Sequence, residues 1–219
     1  MDAAVHLNPE ITYNPLDKNN LGVSVTDALL AKPVVPLPPK NSFLGAGIYA
    51  IYYLGQFPQY STIAARNSDD KFMQPIYVGK AIPKGGRKGG SSADTGPFLF
   101  KRLSEHAASI ESAANLQIGD FRCRYLVVDD IWIPLAESLM IQNFQPIWNG
   151  VIDGFGNHDP GRGRHQGQIP PWDVLHPGRS WAAKLERNKK SKEDILMELE
   201  KFFTKGESET PLHGDGESE

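Results

Sequence analysis

The stretch Gly47-Ile-Tyr-Ala-Ile-Tyr-Tyr-Leu constrains the fold most. It is β-branched and aromatic, with a glycine at each end, which is the composition of a strand. Two further tracts repeat the signal: Pro75-Ile-Tyr-Val-Gly-Lys, a short strand that ends on Gly79, and Phe121 to Val128. Helical periods follow them. Leu99, Leu103, Ala107 and Ile110 recur at helical spacing behind Pro97, with Asp94 or Thr95 as cap, and predict an amphipathic helix of about 15 residues. Leu135, Leu139 and Met140 predict a second core stripe, starting near Pro134 and ending before Pro146, since a residue ahead of proline is driven out of the α region. Ser191-x-x-Asp194 reads as a capping box ahead of a third helix carrying Ile195, Leu196, Leu199, Phe202 and Phe203. The expected class is α/β of the α+β kind, with a small central antiparallel sheet of about three strands flanked by these helices.

The remaining segments divide the chain. Residues 1–43 are rich in Pro and Asn, end in Pro33, Pro36, Pro38 and Pro39, show no sustained period, and read as an N-terminal arm. The core is expected over 44–150, interrupted over 82–97 by a mobile basic loop of Gly85, Gly86, Gly89, Gly90 and Gly96 with Lys84, Arg87 and Lys88. Residues 151–205 hold a long irregular segment, Asp153 to Arg179, followed by the third helix, and loops of that length are usually functional. The acidic Gly/Ser/Glu tail, 206–219, is expected to be disordered.

Composition narrows the function. The net charge of -3 and pI near 6.1 argue against a nucleic-acid partner, but the average misleads. Five acids and no Lys or Arg lie in 206–219, so the other 205 residues carry +2. Residues 71–102 carry a local excess of +6 and residues 179–192 one of +5. Apolar runs fall short of the roughly 20 residues of a membrane span. No secretory signal is visible at the N-terminus, so a soluble, cytoplasmic protein is expected. The single cysteine, Cys123, excludes an internal disulfide and most cysteine-based zinc sites, and reads as a buried strand residue.

Several side chains then fall into an order. Gly47-Ile48-Tyr49 is followed by Tyr77-Val78-Gly79 with Lys80 directly behind, then Arg102 with His106 four residues on, then the helical Glu137, then Trp148-Asn149. Over about residues 44–150 this order resembles the GIY-YIG nuclease superfamily, with Tyr-Val-Gly where the family has Tyr-Ile-Gly and a longer gap from Lys80 to Arg102. Gly154-Phe-Gly-Asn-His-Asp-Pro-Gly-Arg-Gly-Arg164 and Trp172-Asp-Val-Leu-His-Pro-Gly-Arg179 are similar to the type II restriction endonucleases that are SacII isoschizomers and cut within CCGCGG.

The resemblance implies an active site of Tyr49, Tyr77, Lys80, Arg102, His106, Glu137 and Asn149. Glu137 would hold Mg²⁺, with Mn²⁺ as a substitute, since one carboxylate suffices when phosphate and water complete the shell. Tyr49 would orient or deprotonate the attacking water; a phenol of pKa near 10 needs positive charge nearby, and the resemblance places Lys80 and His106 beside it. His106, titrating near neutrality, would take the proton relayed through Tyr49. Arg102 would fork onto the scissile phosphate, Tyr77 would position phosphate or water, and Asn149 would brace the loop behind the Glu137 helix. Residues 151–205 would be a DNA-recognition loop and helix, with Arg162, Arg164 and Arg179 as candidates for guanine O6 and N7, or for phosphates, and Lys84, Arg87 and Lys88 would wrap the duplex. A palindromic site implies a homodimer on double-stranded DNA, and a restriction enzyme of a bacterial cytoplasm implies a cognate DNA methyltransferase as genetic partner. Three alternatives stay open: a GIY-YIG repair or homing nuclease, a catalytically silent DNA-binding protein, and a His-metal or zinc site built from Asn157-His158, His165 and His176, against which the spacing and the lone cysteine weigh.

Overall fold

The computed structural model describes residues 14, 17–83, 96–161, 163 and 165–208. Its elements in chain order are α1 (Lys18–Leu30), β1 (Val35–Pro36), β2 (Gly47–Tyr53), α2 (Ser61–Asn67), β3 (Tyr77–Ala81), α3 (Phe98–Ser112), β4 (Phe121–Val127), α4 (Ile133–Phe144), α5 (Pro171–Leu175) and α6 (Lys192–Ser208). The sheet is antiparallel throughout, in the order β1-β4-β2-β3. The chain is therefore α+β, as expected. Among the described residues no helix is long and apolar enough to cross a membrane.

All seven residues of β2 are buried, because both faces of the sheet are covered. Side chains alternate along a strand. Tyr49, Ile51 and Tyr53 join a cluster with Leu99, Leu103, Ala107 and Ile110 of α3, Trp148, Trp172 and Ile195. Ile48, Ala50 and Tyr52 join a second cluster with Leu29 of α1 and Ile133, Ala136 and Met140 of α4. Each large apolar side chain removed from water there contributes roughly 1.5–3 kcal/mol. The buried stripe of α3 is Leu99, Leu103, His106, Ala107 and Ile110, so His106 occupies a core position of an otherwise apolar face.

The structure corrects several expectations. Residues 1–43 are not simply an arm: Lys18–Leu30 is a helix packed on α4, and Val35–Pro36 pairs with Arg122 and Cys123 as a fourth strand. Its Asn, Val, Thr and Asp residues blur the helical period, and contact with α4 and β4 supplies what propensity lacks. The core stripe of α4 is Ile133, Ala136 and Met140, with Leu135 and Leu139 only partly buried. Pro97 stands at the N-cap of α3, not in its first turn, and Asp94 and Thr95 lie outside the described residues. The segment 153–179 contains a short helix, α5, and α6 runs on to Ser208, past the expected start of the tail. The capping box is present: Asp194 N–H donates to Ser191 Oγ at 3.1 Å, and Ser191 N–H donates to Asp194 Oδ2 at 2.8 Å. Cys123 is fully buried, and burial pushes its thiol up to about 12.

Candidate active site

The register of the sheet brings the two tyrosine motifs together. Tyr49 pairs across strands with Gly79, and Ile51 with Tyr77, so Tyr49 and Tyr77 share the face that α3 covers. Gly79 has to be glycine: a Cβ there would fall within 2.6 Å of Tyr49 Cζ and 2.9 Å of Tyr77 Cε1. The two rings lie 6.2 Å apart. From α3, His106 reaches Tyr49, its Nε2 2.6 Å from the phenol oxygen. One turn earlier, Arg102 borders the same stripe. Its Nη2 donates to the Gly156 carbonyl at 2.7 Å, and its Nη1 meets Glu105 Oε2 at 3.2 Å and His158 Nε2. Phe155 stacks on the His106 imidazole at 4.5 Å and meets Tyr77 edge-on at 5.0 Å.

Burial sets the protonation states. The Tyr49 hydroxyl is raised well above the usual 10, chiefly by desolvation and then by Tyr77, against the opposing pull of Arg102. Tyr77 is raised by desolvation too, with Arg102 opposing. His106 is lowered well below 6.5 by desolvation first and then by Arg102, His158 and Arg179. A titration near neutrality is thus corrected: His106 is a neutral imidazole whose Nε2 accepts the Tyr49 O–H, and the Tyr49 lone pairs are left on the side of the Arg102 charge.

The opposite face carries an ion pair. Lys80 pairs in register with Ile48, so its side chain leaves β3 toward α4 and meets Glu137 Oε2 at 2.6 Å. Among the described residues the cation beside the Tyr49 phenol is therefore Arg102, and Lys80 is paired with Glu137. The Glu137 charge acts on both Tyr49 and Tyr77, which ties the two faces together across the edge strand β3. Asn149 grips that edge: its Oδ1 accepts from Val78 N–H and its Nδ2 donates to the Val78 carbonyl, both at 2.8 Å. It acts on the β3 backbone, as a brace.

Other expected contacts fall elsewhere. Arg179 is buried, and all five of its N–H donors are used inside the protein, on Asp173 and on the carbonyls of Gly154, Phe155 and Asn157. No donor remains for a guanine edge, so that assignment is corrected. Lys84, Arg87, Lys88, Arg162 and Arg164 lie outside the described residues. His176 is buried with both ring nitrogens engaged, by Tyr60 at 2.6 Å and Asn115 at 2.9 Å, and leaves none for a metal. Among the described residues no group of three or more His, Cys, Asp or Glu side chains is gathered to hold a metal ion. Glu137 stands as one partly buried carboxylate, which suits Mg²⁺, an ion that keeps most of its waters and takes its other ligands from phosphate. Glu105, Gly156 and His158 as neighbours of Arg102, and Phe155 as a neighbour of His106 and Tyr77, were missed. The run Gly-Phe-Gly-Asn-His carried the signal, but sequence reading assigned it to DNA recognition.

A family model described as the Eco29kI GIY-YIG domain matches residues 41–203. No curated protein matches the chain.

Proposed function

Because the chain belongs to the Eco29kI GIY-YIG family of restriction endonucleases, we propose that it hydrolyses double-stranded DNA at a short palindromic GC-rich site, CCGCGG, by metal-assisted attack of water positioned by Tyr49. The observation that carries the reading is the Tyr49–His106 hydrogen bond of 2.6 Å with Arg102 and Tyr77 around it and Glu137 across the strand edge. Phosphodiester hydrolysis needs an oriented water, charge stabilisation on the phosphoryl oxygens and help for the departing 3′ oxygen.

Tyr49, a neutral phenol donating to His106, presents its lone pairs to the water and passes the water's proton toward His106 Nε2. Arg102 is the phosphate fork. In the free chain Glu105 and His158 stand where anionic oxygens would, and DNA replaces them. Tyr77, more exposed than Tyr49, orients the phosphate by its hydroxyl. Glu137 would hold Mg²⁺, or Mn²⁺ in its place, with Lys80, its ion-pair partner, keeping the carboxylate in position. The bound cation supplies Lewis-acid stabilisation of the phosphoryl charge. Arg162 and Arg164 are assigned to guanine edges and Lys84, Arg87 and Lys88 to the phosphate backbone. A two-fold site takes a homodimer, and the enzyme works in a bacterial cytoplasm beside a methyltransferase that protects the same sequence.

The test is digestion of unmethylated plasmid carrying one CCGCGG, with Mg²⁺ or EDTA, by the wild type and by Glu137→Ala. Fragments at that position, lost with EDTA and with the variant, are expected. Discrete cuts elsewhere would overturn the site and keep the enzyme, whereas undiminished cutting by Glu137→Ala would overturn the metal assignment.

A further inference from the structure

Arg179 and Asp173 have side chains only 3% and 2% exposed, and their hydrogen bonds reach no group assigned to the chemistry, although the Arg179 charge acts on His106. Their partners explain why they are there. Arg179 Nε donates to Asp173 Oδ1 at 2.6 Å, Nη1 to the carbonyls of Phe155 at 3.0 Å and Asn157 at 3.2 Å, and Nη2 to Gly154 at 2.9 Å and to Asp173 Oδ2. The guanidinium plane lies between Trp172 and Trp181, 4.6 Å from each ring centre. One side chain thus gathers three of the four carbonyls of the Gly154–Asn157 turn. The fourth, that of Gly156, accepts from Arg102, and the ring between them, Phe155, stacks on His106. The turn also sits hard on Tyr77: a Cβ at Gly156 would come within 2.6 Å of its hydroxyl.

We propose that Arg179, braced by Asp173, is a positioning residue that fixes the Gly154–Asn157 turn and through it the orientation of Arg102 and His106. The proposal rests on the nuclease reading for its catalytic consequence, but its structural half stands on the free protein. Lysine does not substitute. A single ammonium has the charge for Asp173 but lacks the planar fork that reaches three carbonyls and both carboxylate oxygens at once. A displacement of about 1 Å in groups around a reacting phosphate costs up to about 100-fold in rate.

The experiment uses the full chain labelled with ¹⁵N-histidine, wild type and Arg179→Lys. His106 imidazole resonances are read without DNA. Thermal melting, single-turnover cleavage of a CCGCGG duplex in Mg²⁺ and the Kd for that duplex in Ca²⁺ are measured alongside. Expected are a cooperative melt, displaced His106 resonances, cleavage down by about 10- to 100-fold and a Kd within about three-fold of wild type. Unchanged His106 resonances in a folded variant overturn the proposal, whether cleavage is unaltered or cleavage and binding fall together, the latter marking Arg179 as a DNA contact. Should Arg179→Lys not fold, Asp173→Asn keeps the guanidinium and its carbonyl bonds, and a smaller displacement of the same resonances is expected. If neither variant melts cooperatively, Arg179 holds the whole domain instead of this turn and the proposal fails. If the wild type cleaves no DNA, the nuclease reading fails, and the His106 resonances alone decide the positioning role.

Discussion

Two buried tyrosine–histidine pairs, Tyr49–His106 and Tyr60–His176, have the same 2.6 Å hydrogen bond and opposite prospects. The second lies in a closed chain. Trp148 Nε1 donates to the Tyr60 oxygen at 3.0 Å, Tyr60 donates to His176 Nε2, His176 Nδ1 donates to Asn115 Oδ1, and Asn115 Nδ2 donates to the Leu175 carbonyl at 3.0 Å. Every donor in it ends on a protein acceptor. Behind the tyrosine of the first pair stands Arg102, a donor shared with Gly156, Glu105 and His158 and not one fixed in a closed chain. The Tyr49 oxygen faces the Arg102 guanidinium and the Tyr77 hydroxyl, with Glu137 acting from beyond the strand edge. What separates a site from a strut is therefore not the residue types or the bond length but where the chain of hydrogen bonds ends: on a carbonyl in one case, on groups that a phosphate and a water can rearrange in the other.

Removing one hydroxyl from each pair breaks the parallel most sharply. Tyr49→Phe is expected to lower cleavage by about 10²- to 10⁴-fold, the usual worth of a positioned proton-transfer group. Tyr60→Phe is expected to leave the cleavage rate of the folded enzyme near wild type. It should cost more stability than Tyr49→Phe, about 2–4 kcal/mol, because Trp148 Nε1 and His176 Nε2 both lose their partner in a buried setting. Single-turnover rates and urea midpoints of the two variants read both effects. Equal cleavage losses at equal folded fraction would erase the distinction.

The pairs should behave alike toward pH in one respect and differ in another. Burial holds His176 down to about 3 and His106 well below 6.5. An unfolded histidine titrates near 6.5, so between these values the unfolded chain binds more protons than the native one. The sign follows: the contribution is complete above about 6.5 and is lost as pH falls through the native values, at up to about 1.4 kcal/mol per pH unit for each histidine. Urea midpoints should fall between pH 7 and pH 5, and His176→Gln should flatten that dependence. Only His106 bears on chemistry, and burial holds its titration well below 6.5. The cleavage rate is thus expected to show no histidine inflection at 6.5, and a break there in a rate–pH profile would mean that His106 is less shielded than its packing implies.

The parts of the molecule that were legible in the sequence are those where local signal and tertiary demand agree. β2 and α3 were readable because a doubly covered strand is apolar along its whole length and α3 repeats Leu99, Leu103, Ala107 and Ile110 on one face. The order Tyr49, Tyr77, Arg102, His106, Glu137 was readable from a family pattern, and the sheet register and α3 bring the first four together with Glu137 across the edge. α1 was missed because packing on α4, not its own period, makes it helical. Arg179 was misjudged because nothing local marks an arginine as buried; Asp173, Trp172 and the carbonyls of 154–157 decide that, and they converge only in three dimensions. The same is true of Lys80, whose strand parity sends it to Glu137 and away from Tyr49.

The smallest expected effect tests how sealed the second network is. Asn115 terminates it but is itself exposed, so water can take over the His176 Nδ1–H when the amide is removed. Asn115→Ala is therefore expected to cost no more than about 1 kcal/mol, at the low end for a hydrogen bond whose partner is not left dry, with the cleavage rate unchanged. Asn149→Ala makes the instructive counterpart. It removes two 2.8 Å bonds from the Val78 backbone, on the strand that carries Tyr77, Gly79 and Lys80, and should lower cleavage as well as stability. Should Asn115→Ala lower cleavage to a similar degree, the Tyr60–His176 chain would have to reach the site through Trp148 and its contact with Phe155, 4.6 Å between ring centres, and the two tyrosine–histidine pairs would be one network.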